Sequence, residues 1–338
     1  MIMYSAKTRF AKELLNKIEK NGEDVLIFVH RSVDGDCIGA SCGLREVLKG
    51  LGYKAKVALC EDLPNYLDYL GLGEEIERVT SDRKVPTLAI ATDCAEGSRM
   101  GEAGDVFDRS EEKLIIDHHA SVSMEGDNIF IVPQASSASE LVFYVAKELC
   151  SIKGVEIKDV ITPKAAMLFL TGMITDTGRY SYTNTNPETL EASAELMRLG
   201  GQIAPVMYNC YDRKRKEELL ISSLACASAR FDLDGKIASC VVTNDLFEKC
   251  NAGRDDISEV VSRLRDVEGV VVAIVLREAD EGKIRVNIRS VAPFDASSFA
   301  GAYGGGGHIR ASGCTVEGRD INELRDEMVQ KAIESLKD

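Results

Sequence analysis

The sequence predicts an α/β protein: an N-terminal domain with a mainly parallel β-sheet flanked by helices, plus a smaller α+β C-terminal domain across a cleft. In the first half, short continuous apolar runs alternate with helical stretches, as in a parallel sheet buried on both faces. Later, strand signals lie closer together and imply some antiparallel pairing. At 338 residues, 45% of them hydrophobic, the chain suits two cores better than one small one.

The opening MIMYSAKTRFAKELLNKIEK reads as an amphipathic helix; it lacks the apolar core and small-residue cleavage site of a signal peptide. DVLIFVH (24–30) is the first strand, followed by helical IGASCGLREVLKGLG. KAKVALC (54–60), PTLAIATD (86–93), KLIIDHH (113–119) and NIFIVP (128–133) are further strands. SASELVFYVAKELCSI and PKAAMLFLTGMIT are longer helices, the second running into DTGRYSYTNT. Residues 186–222 look helical and charged, with YDRKRKEELL as a linker helix. KIASCVVT, GVVVAIVLREA and GKIRVNIRS then read as strands, the last two joined by a polar turn from Asp280 to Gly282. Helical DDISEVVSRLRDV lies between the first two, and DINELRDEMVQKAIESL closes the chain. The expected division is residues 1–190, a helical linker 191–224, and residues 225–338.

A net charge of −14 argues against tracking long duplex nucleic acid through a broad basic face. It leaves room for a short anionic ligand in a locally positive pocket. No run approaches the ~18 apolar residues a membrane span needs. The ten cysteines contain no CxxC pair, a pattern of reduced thiols in a cytoplasm rather than of a zinc finger.

Chemistry-bearing residues gather at the ends of the apolar runs. VLIFVH ends in His30, followed by Asp34 and Asp36; TLAIATD ends in Asp93; KLIIDHH ends in Asp117, His118 and His119. Asp176 follows an apolar helix in ITDTGRYSY. A lone aspartate at a strand end is ordinarily a cap or turn residue, and a lone histidine a satisfied polar group. Independent capping does not predict three such ends using three of the four histidines in the chain. Ligands of an open parallel sheet bind outside the carboxyl ends of its strands. Carboxylates so crowded need cations, and the set is too large for one ion but suits two sharing a bridging carboxylate. Oxygen and imidazole donors suit Mn²⁺, with Mg²⁺, Co²⁺ or Fe²⁺ as alternatives. Such a pair is suited to hydrolysing a phosphate ester with metal-activated water.

HRSVDGD, ATDCAEGSRMG, DHHAS and ITDTGRYSY resemble the four ordered motifs of the DHH phosphoesterase superfamily. That superfamily includes RecJ-type exonucleases, manganese-dependent inorganic pyrophosphatases and nanoRNases, and the resemblance covers roughly residues 24–185. It implies one metal on His30, Asp34 and Asp93 and a second on Asp36, Asp93, His118 and Asp176. It also implies that Asp117 orients a neighbouring imidazole and that His119 lies near the scissile phosphate. Val33 departs from the pattern, where relatives often carry proline. Cys37 and Cys94 abut ligand positions and read as small packing residues.

YGGGGHIRASG, residues 303–313, is the second signal. Consecutive glycines let backbone approach a ligand, and their amides can form an anion nest. Gly306, Gly307, His308 and Arg310 are candidate substrate contacts, the last two at the start of a short helix, together with Arg289 and Ser290 at a strand end. The stretch resembles the glycine-rich, histidine-containing loop of the DHH-associated C-terminal domain, over about residues 225–335. Both domains together are similar to the nanoRNase and 3′-phosphoadenosine 5′-phosphate phosphatase group. That resemblance implies hydrolysis of very short RNAs or linear dinucleotides to 5′-mononucleotides, and removal of the 3′-phosphate from 3′-phosphoadenosine 5′-phosphate. Cyclic dinucleotide cleavage, inorganic pyrophosphate hydrolysis and non-catalytic nucleotide binding are the alternatives. Phe294, Phe299 and Tyr303 read as packing, and a homodimer is compatible with the sequence.

Overall fold

The computed structural model describes residues 2–22, 24–73, 75–119, 124–279 and 282–337. Ala120 and Ser121 of the DHHAS motif, and Asp280 and Glu281 of the expected turn, lie outside them. The chain divides into two compact units, Met1–Arg213 and Lys214–Asp338, with the division inside the stretch expected to link the domains.

In the first unit, α1 (Ile2–Asn21) precedes β1 (Val25–Phe28), α2 (Gly35–Gly50), β2 (Lys56–Leu59), β3 (Ile76–Arg78) and β4 (Leu88–Thr92). There follow α3 (Glu102–Arg109), β5 (Lys113–Asp117), β6 (Ile129–Ile131), α4 (Ala138–Lys153), α5 (Ile157–Val160), α6 (Pro163–Asp176), α7 (Pro187–Arg198) and α8 (Ile203–Met207). The six strands form one sheet in the order β3-β2-β1-β4-β5-β6, every pairing parallel. Both faces are covered, which is why the strands read as unbroken apolar runs. Val25 and Ile27 point into a core shared with α1, α2, α4 and α6, while Leu26 and Phe28 point into a smaller one under α3. The strand order reverses between β1 and β4, the switch point at which open sheets of this type bind ligands.

Helices α2 and α6 meet through a glycine stripe at Gly35, Gly39 and Gly43, four residues apart and so on one helix face. An ideal Cβ on Gly35 would lie 2.4 Å from Thr175 Oγ1, one on Gly39 2.5 Å from the Leu168 carbonyl oxygen, and one on Gly43 2.3 Å from the Phe169 ring. The helices therefore run antiparallel, with the start of α2 beside the end of α6.

Within the stretch expected as a linker helix, the helix is interrupted. One turn of π-helix spans Tyr208–Asp212, and Arg213 is extended before α9 (Lys216–Ala227) begins. The Tyr211 hydroxyl donates to the Ile174 and Thr175 carbonyls, each at 3.2 Å, fastening this turn to the end of α6.

The second unit continues with β7 (Arg230–Asp232), β8 (Ile237–Val242), α10 (Asn244–Cys250), α11 (Val260–Arg265), β9 (Val272–Glu278), β10 (Lys283–Ser290), α12 (Ala296–Gly301), β11 (Gly306–His308), β12 (Ala311–Glu317) and α13 (Ile321–Ser335). Its sheet runs β11-β12-β10-β9-β8-β7, antiparallel except for β8 with β9. His308 and Arg310, expected at the start of a short helix, lie instead on a hairpin: Gly307 pairs with Ser312 and His308 with Ala311. The glycines serve close strand approach here, since a Cβ at Gly305 would lie 2.2 Å from the Gly313 carbonyl oxygen. Among the described residues, no helix is long and apolar enough to cross a membrane.

The stripe yields a stability test. Gly39→Ala gains helix propensity of up to ~1 kcal/mol, but its methyl group has no space, so urea unfolding should show a net loss of about 1–3 kcal/mol. Helical Gly301 has nothing within 4 Å of its Cβ position, and its alanine variant should be neutral or slightly stabilised.

Candidate dinuclear metal centre

Each expected ligand is positioned by the end of a regular element. His30 follows β1, and Asp34 caps α2, its Oδ1 accepting from the Asp36 and Cys37 amides at 3.0 and 2.9 Å. Asp36 lies in the first turn of α2, Asp93 follows β4, His118 and His119 follow β5, and Asp176 is the last residue of α6. The structure brings all of them together at the carboxyl edge of β1, β4 and β5.

Two imidazoles organise the cluster. His30 Nε2 lies 3.2 Å from Asp93 Oδ2 and 3.6 Å from Asp34 Oδ2. His118 Nε2 lies 3.5 Å from Asp93 Oδ1, 3.6 Å from Asp176 Oδ2 and 3.9 Å from Asp36 Oδ2. The other nitrogen of each ring faces a main-chain carbonyl: His30 Nδ1 that of Arg31 at 2.7 Å, His118 Nδ1 that of Ala135 at 3.3 Å. Such contacts fix ring orientation and turn both Nε2 atoms toward the carboxylates. Asp93 touches both imidazoles, as a bridging position requires.

The remaining acids have distinct settings. Asp36 is buried, its oxygens accepting from the Ala138 and Ser139 amides at 2.7 and 2.9 Å, at the start of α4. Asp117 is fully buried, and its Oδ1 accepts from the His118 and His119 amides and, at 2.7 Å, from His119 Nδ1. The imidazole it orients is therefore that of His119, whose Nε2 has no hydrogen bond among the described residues. Asp93 has φ 59°, a strained conformation for a residue with a side chain. After Asp176 the chain passes through three consecutive left-handed residues, Gly178, Arg179 and Tyr180. Cys37 and Cys94 are both buried; Cys37 also groups with His30 and Asp34 at ligand spacing. In the RSVDGD loop, the Val33 amide donates to Glu61 Oε1 at 2.9 Å.

In the second unit, a cavity of about 590 Å³ lies over the open face of β10 and β12. Of the expected substrate residues, Arg289, Gly306 and His308 line it. Ser290, Gly307 and Arg310 do not: the Ser290 hydroxyl and Arg310 Nη1 both donate to the Phe294 carbonyl, at 2.9 and 2.7 Å. Arg254, Arg277 and Arg285 complete a basic wall that the sequence-based set omits. The missed signal is the period of two in KIRVNIRS, which puts Arg285, Asn287 and Arg289 on one face. Arg285 stands directly opposite Arg277 in the β9–β10 register, which puts both side chains on the cavity wall. Phe294, Phe299 and Tyr303 pack on one another, with centroids 5.1 and 5.8 Å apart.

Comparison with known proteins agrees with this geometry. Residues 24–173 match the DHH family N-terminal domain, and residues 235–338 match the DHHA1 domain. The chain is 32% identical to the bifunctional oligoribonuclease and PAP phosphatase NrnA of Thermus thermophilus, over 98% of this chain and 95% of that one. It belongs to the DHH family. The protein of the same name from Bacillus subtilis is 28% identical to this DHH-family chain, over 86% of it and 89% of the relative. An exopolyphosphatase-related protein from Bacteroides fragilis superposes with a TM-score of 0.83 at 25% identity, over 97% of this chain and 96% of that one.

The residues of this DHH-family centre fit divalent cations. Asp93 Oδ1 is buried and accepts no hydrogen bond among the described residues, a cost that a coordinated cation would remove. The charge balance agrees. Burial and the Asp93 and Asp176 carboxylates push Asp36 well above the usual carboxylate range, and burial with Asp93 and Asp34 raises Asp176 to about 6. Burial opposes charge on the imidazoles, but Asp93, the Arg31 carbonyl and Asp34 raise His30 to about 9. His118 is raised to about 10 in the same way by Asp93, Asp36 and Asp176. Without metal, protons take the place of cations.

A pH dependence follows. Both histidines hold protons in the folded state above the unfolded value of 6.5. Their contribution to stability is full below pH 6.5 and is lost as pH rises through about 9 and 10. Chelator-treated protein should show a falling thermal midpoint over that window, and added Mn²⁺ should raise the midpoint more at pH 8.5 than at pH 6.5, since binding displaces protons. A flat metal-free profile would contradict the assignment.

Proposed function

We propose that this chain is a metal-dependent phosphoesterase that hydrolyses very short oligoribonucleotides or linear dinucleotides to 5′-mononucleotides. We propose also that it removes the 3′-phosphate of 3′-phosphoadenosine 5′-phosphate. The observation that carries this reading is the convergence of six ligand side chains at the switch point of the sheet, with Asp93 against both imidazoles, in a chain matched over 98% of its length by a bifunctional oligoribonuclease and PAP phosphatase.

His30, Asp34 and Asp93 would hold one cation, and Asp36, Asp93, His118 and Asp176 the other, with Mn²⁺ as the proposed ion. When bound, the pair supplies Lewis-acid stabilisation of phosphoryl oxygens and lowers the pKa of water. The protein's own groups do the rest. Asp117 accepts from His119 Nδ1, so His119 Nε2 is aimed outward to hydrogen-bond the phosphate or pass a proton to the departing oxygen. In the second unit, Arg277, Arg285, Arg289 and His308 are suited to binding a phosphate group. A few positioned cations suffice for so short a ligand, which accommodates a net charge of −14. We place the protein in the cytoplasm, a reading supported by ten unpaired thiols.

The test is a time course with Mn²⁺ on a 5′-phosphorylated diribonucleotide, a long RNA, 3′-phosphoadenosine 5′-phosphate, a cyclic dinucleotide and pyrophosphate. Fast cleavage of the diribonucleotide, slow attack on the long RNA and release of phosphate from the third substrate are expected. Turnover of pyrophosphate alone would overturn the reading. Asp93→Ala should cost more than the 10- to 100-fold typical of a residue behind a metal ligand, while circular dichroism stays unchanged. His308→Ala and Arg285→Ala should each raise KM about tenfold with little change in kcat, as expected for lost charge-assisted hydrogen bonds.

A further inference from the structure

Beside the metal-binding carboxylates, within the first unit, lies a cavity of about 260 Å³ walled by Asp34, Asp36, Asp176, Tyr66, Cys210 and Tyr211. Tyr66 belongs to the short 3-10 turn Asn65–Leu70, and that turn is pinned. Leu67 and Leu70 are buried, Tyr69 shares a 2.6 Å hydrogen bond with Thr171 Oγ1, and Arg213 Nη2 donates to the Asn65 carbonyl at 3.0 Å. The Tyr66 ring is thus held against the cavity.

Its hydroxyl is exceptional. Tyr53, Tyr69, Tyr144, Tyr180, Tyr211 and Tyr303, all partly buried, each place the phenol oxygen in a hydrogen bond. Tyr66 is also partly buried, yet among the described residues its hydroxyl has no partner. A phenol at neutral pH is both donor and acceptor, and Tyr66 lines the same cavity as the carboxylates that would hold the reacting phosphate's metals.

The chemistry of the substrates offers this hydroxyl a partner. Cleaving a dinucleotide to 5′-mononucleotides and removing a 3′-phosphate break the same bond. In both, a water oxygen bonds to phosphorus, and the bond from phosphorus to the ribose 3′-oxygen breaks with its electron pair going to that oxygen, which ends protonated. The group bonded directly to the reacting centre is therefore a ribose, and its 2′-hydroxyl neighbours the leaving oxygen. We propose that this cavity seats the ribose of the leaving nucleotide and that the Tyr66 hydroxyl hydrogen-bonds its 2′-hydroxyl, making Tyr66 a residue that selects ribose over deoxyribose. This rests on the phosphoesterase reading and deepens it. The 2′-hydroxyl is the group by which a protein distinguishes RNA from DNA at a given site, and a polar group left unpaired by the deoxy analogue supplies the discrimination.

The experiment compares wild type with Tyr66→Phe, full-length and Mn²⁺-loaded. The substrates are a diribonucleotide and its counterpart lacking the 2′-hydroxyl on the sugar that carries the scissile 3′-oxygen. Wild type should favour the ribo substrate in kcat/KM by about tenfold, the scale of one neutral hydrogen bond. Tyr66→Phe should bring that ratio close to one, chiefly by slowing the ribo substrate. A ratio near one in wild type, or the same ratio in both proteins, overturns the assignment. Should wild type hydrolyse neither substrate, the phosphoesterase reading fails. Equilibrium dialysis of adenosine 5′-monophosphate against 2′-deoxyadenosine 5′-monophosphate then judges the cavity separately. Preference for the ribo nucleotide, lost in Tyr66→Phe, supports it, and equal binding by wild type overturns it.

Discussion

The close antiparallel contact of α2 with α6 is the constraint on which the first unit turns. Asp34 and Asp36 stand at the start of one helix and Asp176 at the end of the other, so their separation is set by how near two backbones can come. Side chains at positions 35, 39 and 43 would hold the helices apart and carry Asp176 away from His118. Gly172 extends the requirement to a third helix: a Cβ there would lie 1.9 Å from Ser139 Oγ and 2.6 Å from Asp36 Oδ1. Packing and chemistry are the same contact at this point.

The electrostatics rest on that geometry. Several carboxylates are gathered in a buried space, and the fold offsets their repulsion piecemeal. The start of α4 supplies two amides to Asp36, where the helix dipole also favours negative charge. The amides after β5 do the same for Asp117. Asp93 Oδ1 receives no amide and faces the His118 and His119 imidazoles instead, at 3.5 and 3.6 Å, on a strained backbone. Strain and an oxygen without a full hydrogen bond at one residue mark where stability yields to function.

Much of this was legible in the sequence. The strand ends that deliver His30, Asp93 and His118 announce themselves because a doubly covered parallel strand is apolar along its whole length and stops abruptly at its polar residue. Asp176 was legible through its motif, whereas its nearness to Asp36 depends on a helix contact that spans the chain from Gly35 to Thr175. The glycine loop signalled a special backbone but not which one, since a tight hairpin and a helix start both call for residues without side chains. Arg254 and Arg277 join Arg289 only through the folding of the second sheet. Tyr66, in DLPNYLDYLG, looks like any packing tyrosine; what distinguishes it from Tyr69 is a hydroxyl without a partner, a property of three dimensions.

The Val33 amide has a further consequence. Proline at this position would fix the backbone between His30 and Asp34 covalently and permanently. Here a hydrogen bond to Glu61, just beyond β2, holds the same stretch, so its tautness depends on a neighbouring strand end. A ring cannot let go, whereas a hydrogen bond can open and close. The hold on the loop between two ligands thus resides in one exchangeable amide, and hydrogen–deuterium exchange at Val33 reads how firmly it is kept.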